Sequence, residues 1–309
     1  MGAGENVDSP VMLVLGDSVA WGQGLPDGNK FATLVCDQLK SRPEYAGMKL
    51  VMRARSGAVI GASLTTRSPR FVPSEIPWTY PTALQQCDGY DGDPDKVRIV
   101  LLDGGINDVS VDVIIDPRTT SARLEQLVDD YCRRDMAILL DRVCGKFSNP
   151  ACRVIVTGYY QIVSRASGYA PTLKFLELWG ISQAAQILAA GGFSDLVDLC
   201  ELFHKRSDEA LRAAVDEANA RWGNRIVFVP SGFTAENAMF QENTLLWGFR
   251  GTPPFVDAAD ELRQFRAELC SNFYEDGSVR CTTCRFASIG HPTALGAIRY
   301  YERIMASLP

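Results

Sequence analysis

Histidine is nearly absent from this chain: 309 residues include two, His204 and His291. Any chemistry that needs an imidazole base therefore has two candidates. Long apolar runs are missing as well. The longest, such as Val11–Leu15 and Ile99–Leu102, have the length of buried strands and fall short of the roughly 18 residues that a membrane span requires. There is no excess of basic charge: 31 Lys and Arg against 37 Asp and Glu leave a net charge of −6. Phosphate binding needs a basic face, so a nucleic-acid partner is not expected. The stretch from Gly16 to Gly24 lacks the dinucleotide fingerprint and the P-loop lysine. No repeat, low-complexity tract or linker divides the sequence. The first residues lack the basic and apolar segments of a secretory signal, which fits a cytosolic start or a chain whose signal has been removed. The compartment is open, as is the oligomeric state.

Against these absences stand nine cysteines, an odd number. Cys144 and Cys152 bracket a short polar loop, and Cys281 and Cys284 form a CxxC. Each pair reads equally as a disulfide or as buried thiols acting as small hydrophobes. A zinc site would need four ligands, and no second pair accompanies the CxxC; adding Cys200 and His204 would complete a set that nothing in the sequence brings together. No metal or cofactor is therefore expected. A chain of this length, 46% hydrophobic and 22% charged, can bury a core without staples.

Five short β-branched runs are spaced along the chain: Val11–Leu15, Lys49–Arg53, Val97–Leu102, Arg153–Thr157 and Arg225–Val229. Each is nearly continuous in apolar character, as expected for strands buried on both faces of a parallel sheet. Helical periodicity lies between them, as in Phe31, Leu34, Val35 and Leu39, and a final helix is expected over Pro292–Met305. The alternation predicts an α/β fold, a three-layer α/β/α sandwich around a five-stranded parallel sheet, formed by a single domain over 1–309. Two helical insertions, about 159–222 and 234–284, exceed what the sandwich needs. Their apolar residues read as core packing or as the roof of an acyl pocket.

Sites in open parallel sheets lie beyond the carboxyl ends of the strands. The first strand is followed by Gly16-Asp17-Ser18-Val19, the second by Arg55-Ser56-Gly57-Ala58, and the third by Asp103-Gly104-Gly105-Ile106-Asn107-Asp108. A serine hydroxyl becomes a nucleophile when a base takes its proton. His204 sits in a charged helix-like stretch and reads as a surface or helix-end residue. His291, between Gly290 and Pro292 at a loop-to-helix junction, is placed to be held rigidly.

These blocks, in this order, resemble the SGNH hydrolase superfamily, the GDSL esterases and lipases. The resemblance rests on Gly16-Asp17-Ser18, Gly57, Gly105-Ile106-Asn107-Asp108 and His291-Pro292, and spans nearly the whole chain. It implies the flavodoxin-like SGNH fold and hydrolysis of carboxylic ester or thioester bonds through an acyl-serine, with no cofactor and a small-molecule ester as partner. It casts Ser18 as nucleophile and His291 as base, and draws the oxyanion hole from the N–H groups of Ser18 and Gly57 and the Asn107 amide. Carbohydrate O-deacetylation or acyl transfer would use the same machinery. One position departs from the pattern: where the family carries aspartate three residues before the histidine, this chain has Ser288. The expected substitute is the Ser288 backbone carbonyl at Nδ1, with a carboxylate from elsewhere, such as Asp260 or Asp276, as the alternative. A catalytically impaired binding module is the third reading of that departure.

Overall fold

The computed structural model describes residues 9–66 and 71–308. Five strands, β1 (Val11–Leu15), β2 (Lys49–Met52), β3 (Val97–Leu102), β4 (Arg153–Thr157) and β5 (Ile226–Val229), form one all-parallel sheet in the order β2-β1-β3-β4-β5. The register pairs Leu13 with Val51 on one side and Val100 on the other. Every residue of β1 is buried, as are all but Arg98 of β3, because helices cover both faces. The helices Phe31–Leu39 and Ala294–Ser307 pack together in one layer. The helices Ala83–Asp88, Ser121–Val128, Met136–Lys146 and Phe193–Trp222 pack together in the other.

The five expected strands are all present, two of them one residue shorter. Arg53 leaves the sheet to bond the Gly89 carbonyl and Asp91. Arg225 turns its guanidinium onto the carbonyls of Cys144 and Phe147. The final helix starts two residues later than expected, at Ala294, because Thr293 caps it by accepting from the Gly296 N–H. The first insertion holds the helices Tyr169–Leu178 and Ala184–Ile187 and the 30-residue helix Phe193–Trp222. That long helix buries Leu196, Leu199, Cys200, Phe203, Ala210, Leu211 and Ala214 along one stripe. The second holds the helices Arg263–Phe273 and Val279–Arg285.

Cys144 and Cys152 are buried thiols, one of the two readings of that pair, whereas Cys281 and Cys284 follow neither reading. Cys284 is bonded to Cys270, with 5.9 Å between their Cα atoms. Cys281 shares a helix with Cys284 but remains a free buried thiol, as do Cys144 and Cys152. The Cys284 side chain faces the neighbouring helix rather than its own, and that neighbour carries Cys270. Burial pushes the Cys152 thiol up to about 12, in keeping with an inert core residue. Cys200 lies in the main core and Cys281 in a separate small cluster, so the two do not meet.

Candidate active site

β1 delivers the chain into a sharp strand-to-helix turn. Gly16 has φ +125°, and a Cβ there would lie 2.0 Å from Asp103 Oδ1, so glycine is required for the chain to pass over that carboxyl. Asp103 accepts from the Asp17 N–H and the Ala20 N–H, each at 2.7 Å. Asp17 caps the one-turn helix Ser18–Trp21 through the Val19 N–H at 2.8 Å and accepts from Tyr159 Oη at 2.7 Å. Burial raises both carboxyls, Asp103 well above its usual range because the Asp17 charge adds to the desolvation. The turn leaves Ser18 as the first residue of a helix, where its N–H has no intrahelical acceptor.

Opposite Ser18 stands His291, its Nε2 2.7 Å from Ser18 Oγ. Its loop is stitched to the second insertion. The Trp247 N–H donates to the His291 carbonyl at 2.7 Å, and the Gly290 N–H to the Trp247 carbonyl at 2.9 Å. Tyr160 Oη adds a bond to the Gly290 carbonyl at 2.8 Å. The Ser288 carbonyl lies 3.2 Å from His291 Nδ1 and also accepts the His291 N–H at 2.9 Å. That geometry selects the tautomer with its proton on Nδ1, leaving Nε2 free to accept. Burial lowers the imidazole to about 4; the bond to the Ser288 carbonyl works against this, as does the Asp260 charge, while the Arg266 guanidinium reinforces it.

Neither carboxylate considered from the sequence bonds the imidazole. Asp276 is exposed and paired with Arg285. Asp260 is buried, paired with Arg266 and accepting from Ser288 Oγ at 2.6 Å. His204 lies on the helix Phe193–Trp222, and its carbonyl accepts from Ser207 Oγ.

Gly57 and Asn107 border the same space. Gly57 has φ +77°, and a Cβ would fall 2.6 Å from the Trp78 nitrogen. Asn107 Nδ2 donates to the Ala58 carbonyl at 2.9 Å, which aims the amide beside Gly57 and leaves its second hydrogen unused. Asp108, to which the sequence reading of its block gave no role, accepts the Ile60 N–H at 3.0 Å and so ties the two loops together. Burial raises its carboxyl to about 6. Ser18, Gly57, Asn107 and His291 all line one cavity of about 210 Å³. The rest of its wall is largely apolar, with Ile106, Val111, Ile162, Leu178, Trp179 and Phe286. Leu178 and Trp179 come from the first insertion, so that part of it roofs the cavity; most of its other apolar residues join the core.

No protein-family model matches the sequence, and no curated protein matches it either. Solved structures do resemble it at low identity. Phospholipase A1 from Streptomyces albidoflavus is 15% identical, with 97% of this chain and 99% of that one covered and a TM-score of 0.47. The lipase Lip_vut3 from a goat rumen metagenome is 12% identical, with 96% and 97% covered and a TM-score of 0.49. The esterase AlinE4, of the SGNH-hydrolase family, is 14% identical, with 74% and 77% covered and a TM-score of 0.36.

Proposed function

We propose that this chain is a serine hydrolase of the SGNH type that cleaves carboxylic ester bonds through an acyl-serine intermediate. The observation that carries the reading is the 2.7 Å contact between Ser18 Oγ and His291 Nε2 on the wall of an apolar cavity that Gly57 and Asn107 also line. His291 Nε2 takes the Ser18 proton as Oγ attacks the substrate carbonyl carbon. The oxyanion is met by the N–H groups of Ser18 and Gly57 and by Asn107 Nδ2, donors fixed before substrate arrives. Collapse breaks the bond to the alkoxy oxygen, which leaves as the alcohol with the proton from His291. Water, deprotonated by His291, then attacks the acyl-serine and releases the acid. A thioester would follow the same steps with a thiol leaving.

The Ser288 carbonyl at Nδ1 supports a working dyad over a non-catalytic module. The apolar wall favours an acyl chain in the cavity over a sugar, and so an esterase over a carbohydrate deacetylase. Turnover of p-nitrophenyl acetate, butyrate and octanoate by the wild type and by Ser18→Ala tests the reading. The wild type should hydrolyse at least one ester, and Ser18→Ala should lose at least about 10⁴-fold in kcat. A folded wild type inert on all three, or a Ser18→Ala variant of undiminished activity, would overturn it.

A further inference from the structure

Behind the Ser288 carbonyl lies a buried ion cluster that the reaction scheme above leaves unused. Arg266 is fully buried and faces two carboxylates. Its Nη1 is 2.9 Å from Asp260 Oδ1 and 2.9 Å from Glu75 Oε1, and its Nη2 bonds Asp260 Oδ2 at 2.5 Å. Ser288 closes the cluster: Oγ donates to Asp260 Oδ2 at 2.6 Å and accepts from Arg266 Nη2 at 3.0 Å. The side chain of Ser288 thus points away from the imidazole while its carbonyl points toward it.

The other end of the cluster reaches the nucleophile segment. Glu75 Oε1 accepts from the Gly24 N–H and from Gln23 Nε2, both at 3.1 Å, and Glu75 Oε2 accepts from Trp21 Nε1 at 2.9 Å. At Gly24 the backbone lies so close to Ser288 and Asp260 that a Cβ would fall within 2.9 Å and 3.0 Å of their Cβ atoms. One guanidinium therefore binds the segment after Ser18 and the loop before His291 to a common centre. Burying three charges is expensive, and apolar residues of similar volume often hold a fold equally well. Stability alone is a weak reason for such a cluster; a fixed distance between two reacting groups is a better one.

We propose that Asp260 is a positioning residue for His291, acting through the Ser288 hydroxyl and itself held by Arg266 and Glu75. One residue, Ser288, stands between the carboxylate and the imidazole. Its contribution reaches Nδ1 through the orientation of the Ser288 peptide and through its charge, which favours the imidazolium, against the Arg266 guanidinium, which opposes it. The role rests on His291 being the base, but one readout does not depend on turnover.

With two histidines in the chain, ring NMR titration resolves His291 from His204. Asp260→Asn, which keeps the shape and leaves Arg266 paired with Glu75, should move the His291 midpoint downward by about half a unit or more, with His204 unchanged. Ser288→Ala leaves every charge in place and should lower kcat by about 10- to 100-fold with KM within about twofold. The double variant should lose no more than the greater single loss, since the two residues lie on one path. An unmoved His291 midpoint in folded Asp260→Asn would overturn the coupling whether or not any ester is turned over. In an active enzyme, wild-type kcat in Ser288→Ala or additive losses in the double variant would overturn the route through Ser288.

Discussion

If His291 is the base, activity should persist to unusually acid pH. Burial of the imidazole disfavours its charged form and lowers it to about 4. A carboxylate bonded to Nδ1 would oppose that, but the bonded group here is the Ser288 carbonyl, which is neutral and stabilises the imidazolium less. The working form is the neutral ring, so activity is lost as pH falls through that value. With a midpoint of about 4, about 90% of the enzyme is competent at pH 5 and nearly all of it at pH 7. With a midpoint near 7, as a carboxylate-partnered base would have, only about 1% would be competent at pH 5. The expected ratio of kcat/KM at pH 5 to that at pH 7 is thus about 0.9, against about 0.02 in the other case. The assay is kcat/KM on a short-chain ester from pH 3.5 to 8 at constant ionic strength, with circular dichroism at each pH to exclude unfolding. An acid limb centred near pH 6.5 to 7 in a folded enzyme would refute the reasoning.

Other expectations follow from single contacts. Asn107→Ala removes the bond to the Ala58 carbonyl and, on the proposed mechanism, one oxyanion donor; kcat should fall by about 10²–10³-fold with little change in KM, measured by steady-state kinetics. Gly57→Ala must adopt φ +77° and places a methyl 2.6 Å from the Trp78 nitrogen, so urea denaturation should show a loss of about 1–3 kcal/mol, with kcat reduced as the loop shifts. Replacing Cys270 and Cys284 together by serine opens a loop with a sequence separation of 14 and should lower stability by about 3 kcal/mol, read from the same denaturation curves.

The strands were legible because each is a nearly continuous apolar run; β1 and β3 are buried on both faces, while β2, at the sheet edge, is only half-buried. Ser18, Gly57 and Asn107 were legible as members of one cavity wall because each follows a strand that the parallel topology ends at the same edge. His291 stood out through scarcity, as one of two histidines. The cluster behind it was not legible. Glu75 and Arg266 are 191 residues apart, and only the packing of the second insertion brings them together. Asp260 came into view as a carboxylate that could reach His291, but its bond to Ser288 Oγ depends on the side-chain rotamer rather than on spacing. The pairing of Cys270 with Cys284 is equally a tertiary fact, since spacing alone pointed to the nearer Cys281. Asp103 carried a signal that could have been used: an acid directly after a buried strand, beside the glycines that let another turn approach it.

The central claim, that His291 activates Ser18 for attack, is tested most directly by fluorophosphonate labelling followed by peptide mass spectrometry. One adduct per chain on Ser18, abolished in Ser18→Ala and strongly slowed in His291→Ala, is the expected result. A folded wild-type protein left unlabelled, or labelled at another residue, would contradict it.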